Sequence, residues 1–140
     1  MARPTSFRLD EELLRRLEEE GQASATSVSA LVATLLDEGL KTRRFPGIVY
    51  RDGPSGRRAG LIGGPDVWEI ARDLRHASGR GEKRVAAVAV DLGLAADRVR
   101  LAADFASVCP DEIDRLIELD ELAVERVRDL VDRRDQLLSS

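Results

Sequence analysis

Thr5-Ser6-Phe7-Arg8-Leu9-Asp10 carries two signals in six residues. Thr5, Phe7 and Leu9 alternate with Ser6 and Arg8, the two-residue period of a half-buried strand. Asp10 then stands where a helix N-cap belongs, and Glu11 and Glu12 fall in the first turn, where the helix dipole favours acids. Leu13, Leu14 and Leu17 supply a helical apolar stripe, which Gly21 is expected to end. Gln22 to Thr26 form a polar connection. Ser27 caps a second helix, with Val28, Leu31, Val32, Leu35, Leu36 and Leu40 as its predicted buried face. Arg43 and Arg44 sit near its end, and Phe45-Pro46-Gly47 closes it.

A lone strand followed by two helices leaves the strand's backbone groups without acceptors and donors inside the unit. Pairing it with the same strand of a second chain removes that deficit and creates a two-fold axis. The expected dimer core is Phe7, Leu9, Leu13, Leu17, Leu31 and Leu35.

Residues 45–65 change character, with six glycines and three prolines. Ile48–Tyr50 and Ala59–Ile62 flank Asp52-Gly53-Pro54-Ser55-Gly56, which reads as a short β-hairpin or ordered loop. Beyond it the pattern is helical. Asp66 caps a helix to about Arg75 with Val67, Ile70, Ala71 and Leu74 inward. Ala77–Glu82 is a loop, and Lys83–Leu92 and Ala95–Val108 are helices separated by Gly93. A last helix starts near Pro110, a residue suited to a first turn, and runs to about Leu138. Its apolar positions are Ile113, Ile117, Val124, Val127, Val131 and Leu138. Trp68 and Tyr50 read as a core pair. The expected fold is mainly α: a strand and two helices at 1–44, then a hairpin and four helices at 45–140.

The 140 residues are 43% hydrophobic and 34% charged, a globular composition, but only 4% aromatic. Small modules that complete their cores by dimerising fit this balance. No run of about 18 apolar residues is present to span a membrane, and the N-terminus lacks the apolar stretch of a secretion signal. A single cysteine, Cys109, allows no internal disulfide. These features predict a cytoplasmic, nucleoid-associated protein. The net charge of −4 hides an asymmetry. Residues 1–60 carry 10 Lys/Arg against 9 Asp/Glu, whereas 104–140 carry 5 Arg against 11 Asp/Glu. One end thus suits DNA and the other a protein partner.

The segment TSFRLDEELLRRLEEEG followed by TSVSALVATLL resembles the ribbon-helix-helix regulators of the CopG, Arc and MetJ group over residues 3–41. The resemblance implies an intertwined homodimer, with higher order on DNA left open, whose antiparallel ribbon enters the major groove of a double-stranded operator. By position, Ser6 and Arg8 would face base edges; Arg8 can donate two hydrogen bonds to a guanine. The third outward position falls on Pro4, which has no side-chain donor; this implies fewer base contacts, or a flanking role for Arg3. Ser27, Val28 and Ser29 would offer a helix N-terminus to a phosphate.

The stretch FPGIVYRDGPSGRRAGLIGGPDVWEIARDL, with VAVDLGLAADRVRLAADFA and PDEID, looks like a small helix-turn-helix family found in bacterial antitoxins, including VapB-type members paired with PIN-like nuclease toxins. Ala89 matches the small residue of the first helix, Gly93 the turn glycine, and Leu94 and Val99 the core positions. That implies a PIN-like nuclease as partner, against Ile117, Val124, Val127 and Val131 of the acidic last helix. Asp97 and Asp104 would repel phosphates, so a structural or protein-binding role is expected for this module, with auxiliary DNA contact through Arg57, Arg58, Arg98 and Arg100 as the alternative.

Catalytic signals are weak. His76 is the only histidine, so metal sites and triads built on histidine lack members. The glycines of 60–64 lack the Lys-Ser/Thr of a P-loop. No enzyme, no cofactor and no metal are expected. Three readings remain open: an autorepressing antitoxin of a type II toxin-antitoxin system, a stand-alone transcription factor whose C-terminal module mediates oligomerisation or extra DNA contacts, and an interaction scaffold in which the ribbon only dimerises.

Overall fold

Local capping decides where the helices begin. Asp10 Oδ1 accepts from the Leu13 amide at 2.7 Å and starts α1 (Glu11–Ala23). Ser27 Oγ accepts from the Ala30 amide at 3.1 Å and starts α2 (Val28–Arg44). This computed structural model describes residues 2–140, and its chain divides into two units, residues up to Arg44 and residues from Phe45.

In the first unit, α1 runs through Gly21 rather than ending there. The connection doubles back so closely that the Thr26 amide donates to the Gly21 carbonyl at 2.8 Å. A Cβ on Gly21 would sit 2.9 Å from the Thr26 carbonyl oxygen, so glycine here permits a close approach. The left-handed residue that turns the chain is Ala25, with φ 52°.

Residues 2–10 form neither helix nor strand in the single chain. The expected strand at 5–9 has no ladder here because a ladder needs a second strand. Phe7 is 74% exposed and Leu9 43%. On the two helices only Leu17 and Leu31 are buried apolar side chains. Val28 and Val32 are half-buried, while Leu35, Leu36 and Leu40 are exposed, so the predicted face of α2 is only partly covered. Two crossed helices can cover one stripe of each other and no more.

The second unit holds a complete core. Strands β1 (Ile48–Arg51) and β2 (Arg58–Leu61) pair antiparallel, Ile48 opposite Leu61 and Arg51 opposite Arg58. Four helices follow: α3 (Val67–His76), α4 (Glu82–Leu92), α5 (Ala96–Val108) and α6 (Pro110–Ser139). Ile48, Leu61, Val67, Ile70, Val99, Phe105, Ile113 and Ile117 meet in the centre. Phe45 and Tyr50 both stand edge-on to Phe105, with centroids at 5.3 and 6.5 Å. Trp68 and Tyr50 both pack against the core from its margin, and the Arg72 guanidinium stands over the Trp68 ring, 5.2 Å from its centroid.

Gly93, left-handed at φ 65°, ends α4 and turns the chain into α5; Ala89 and Val99 are buried on either side of that turn and Leu94 is half-buried. Among the described residues, no helix is long and apolar enough to cross a membrane.

Candidate nucleic-acid interface

The N-terminal residues alternate as a ribbon strand would, and their polar members are unengaged. Arg3, Ser6 and Arg8 are exposed, and none has a hydrogen-bond or ion-pair partner among the described residues. The next cation along is different. Arg15 is tied to Glu12 and Glu19 on its own helix, and these hydrogen bonds, Glu12's first, hold its pKa above the ordinary arginine value. Arg8 thus makes no ion pair among the described residues, which leaves its guanidinium able to meet a base edge or a phosphate.

At the start of α2, the Ser27 side chain satisfies Ala30 and the Ser27 carbonyl accepts from Leu31 at 2.9 Å. Helical geometry gives the amides of Val28 and Ser29 no intrahelical acceptor, and the dipole adds partial positive charge there. Those two N–H groups can take an anion such as a backbone phosphate.

The expected dimer core residues are all in the first unit, mostly uncovered. Leu13, Leu17 and Leu35 line one shallow groove with Arg16, Glu19 and Glu20. Leu31 is buried, and Leu13 and Leu35 are 38% and 48% exposed.

The four candidate auxiliary arginines all have intramolecular acceptors. Arg57 pairs with Asp52 at 3.1 Å. Arg58 is bound by Asp66 and donates to the Asp52 carbonyl at 2.8 Å. Arg98 donates to the Ile62 carbonyl. Arg100 is clasped by Glu82 and Asp97; its hydrogen bond holds the Glu82 carboxyl below the usual carboxylate range, and its own pKa is raised in return. A guanidinium already facing carboxylates releases little on meeting a phosphate.

Sequence reasoning treated Asp66 as a helix cap, and it is also an ionic hub. The carboxylate is buried, with 8% of the residue exposed, and receives Arg51 at 2.8 Å, Arg58 and the Trp68 indole N–H at 3.2 Å. Its amide donates to Glu69 at 2.9 Å. A signal for it exists in the hairpin register: Arg51 and Arg58 lie directly opposite, and like charges there need a counter-ion. Gly60 fits the same arrangement, because a Cβ on it would fall 1.7 Å from the Arg51 guanidinium.

Of the candidate partner-binding residues on α6, Ile117 is buried in the unit's own core at 2% exposure. Val124, Val127 and Val131 are exposed. Among the described residues, no three His, Cys, Asp or Glu side chains are grouped to hold a metal ion. Compared with known proteins, the chain matches no family model, no curated protein and no solved structure.

Proposed function

We propose that this chain is a sequence-specific DNA-binding transcriptional regulator that acts as a homodimer. In this reading residues 5–9 pair antiparallel with the same residues of a second copy. The ribbon lays Ser6 and Arg8 against base edges in the major groove, with Arg3 flanking. Val28 and Ser29 hold a phosphate. The observation that carries the reading is the state of the first unit. It buries only two apolar side chains on its helices, Leu17 and Leu31, while Phe7, Leu9, Leu13 and Leu35 stay exposed. Two buried leucines stabilise by roughly 3–6 kcal/mol. Ordering each residue's backbone costs about 1–2 kcal/mol, so such a unit gains its stability by association.

The antitoxin form of this reading adds a PIN-like nuclease on α6, and it is supported by the resemblance of residues 45–118 and by the acidity of that helix. The stand-alone regulator is supported by the seven-residue apolar repeat of α6, which suits another helix of the same kind.

Arg8→Ala tests the reader. Loss of a bidentate base contact is expected to weaken specific binding by about 1–3 kcal/mol, roughly 5- to 150-fold, with non-specific binding much less affected. Fluorescence anisotropy with the chain's own upstream DNA measures it. Unchanged specific affinity would remove the ribbon from the interface.

A further inference from the structure

From Glu121 to Ser139 every residue of α6 is exposed. That stretch extends about 28 Å at the helical rise. It is not evenly polar. Apolar pairs recur every seven residues: Leu116-Ile117, Ala123-Val124, Leu130-Val131 and Leu137-Leu138. Between them, at the same spacing, stand Asp120, Val127 and Arg134. A strict seven-residue repeat is the mark of a helix that coils around another helix. The first pair is consumed in the unit's own core, Leu116 at 6% and Ile117 at 2% exposure. The repeat then continues onto exposed surface, with Val127 at 61% and Leu130 at 62%.

We infer that this face is covered by the same face of a second copy, antiparallel and centred on Val127. The sequence is self-complementary about that residue. With Val127 on Val127, Ala123 falls beside Val131 of the second copy and Val124 beside Leu130. Asp120 meets Arg134 of the second copy, twice over by symmetry. The parallel arrangement brings Asp120 to Asp120 and Arg134 to Arg134, placing like charges in the middle of an apolar seam. Charge therefore selects the antiparallel direction.

The existing partners do not block it. Asp120 accepts from Arg72 at 3.4 Å, and an ionised carboxylate has acceptor sites to spare. Arg134 pairs with its exposed neighbour Asp135 at 2.9 Å, an interaction of small worth. The matched stretch from Asp120 to Arg134 is only about 21 Å long. It gains from tethering, since a second interface on the same chain raises the effective concentration to the order of millimolar. The pairing goes beyond the DNA-binding reading and requires no DNA.

Cysteine cross-linking tests direction and register together. Cys109→Ala serves as the background in the full-length chain, or the native chain with its own cross-linking measured first should that variant not fold. V127C, A123C and V131C are made singly, and A123C is also co-expressed with V131C. All three positions are exposed, so circular dichroism should be unchanged. Under mild oxidation V127C is expected to form a covalent dimer. A123C and V131C alone should stay uncrossed, and the co-expressed pair should cross-link. Absence of cross-linking at Val127 would overturn the inference and give the face to another partner, such as a nuclease. Efficient self-cross-linking of A123C and V131C would overturn the antiparallel register. Repeating the set in Arg8→Ala keeps the two proposals separate, because the cross-links should persist when DNA binding is lost.

Discussion

Asp66→Ala is expected to destabilise the second unit by about 3–5 kcal/mol, the usual cost of removing one partner from a buried ion pair. Two guanidiniums depend on this carboxylate, and their side chains are only 32% and 27% exposed. The variant leaves both without a counter-ion, opposite each other in the hairpin, and strands the Trp68 N–H as well. Arg57→Ala provides the contrast. Its partner Asp52 has an 89% exposed side chain, so loss of that pair should cost no more than about 1 kcal/mol. Urea unfolding followed through the single tryptophan measures both. A loss below about 1 kcal/mol for Asp66→Ala would mean that the hairpin is held by its apolar contacts alone.

Leu35→Glu separates the dimer from the monomer. In the single chain Leu35 is 48% exposed, and a polar replacement on a monomer's surface changes stability by about 0.5 kcal/mol or less. In a dimer core the same change removes a buried leucine and introduces an unpaired charge, at a combined cost of several kcal/mol. Folding of the first unit and association are coupled, so the loss should show as a halved mass in sedimentation and a lower melting temperature. It should also abolish operator binding while leaving the melting of the second unit in place. A Leu35→Glu chain that keeps its mass and melting temperature would show that this face is not an interface.

How far the residues themselves disclosed this arrangement depended on the range of each signal. Asp66, Gly93 and Pro110 act on their immediate neighbours, and the hairpin and the four helices after it lie within a residue or two of expectation. Gly21 misled because its role is to admit Thr26, a contact that requires knowing where the connection goes. Residues 5–9 form no strand in the single chain, because alternation marks a strand-like period without supplying a second strand for the ladder. Ile117 belongs to the same apolar stripe as Val124 and Val131, yet it is covered by its own unit and they are not. Periodicity marks a stripe without saying what covers it. Arg58, Arg98 and Arg100 look available in a list of basic residues. Their acceptors at Asp66, Ile62 and Glu82 lie 8, 36 and 18 positions away. Arg8 is the opposite case: it is exposed and has no partner among the described residues. Its neighbours from 2 to 10 are exposed as well, so the single chain does not separate the two faces of the alternating stretch.

A salt series of anisotropy titrations with full-length protein and its own upstream promoter DNA, with a shuffled duplex of equal length as competitor, tests operator binding directly. The expected result is a saturable complex that prefers the promoter and loses affinity steeply as salt rises, since each phosphate contact contributes close to one unit of slope. Arg8→Ala should lower that preference by roughly 5- to 150-fold, and Leu35→Glu should remove the complex. Equal affinity for promoter and shuffled duplex, or no binding at low salt, would contradict operator binding.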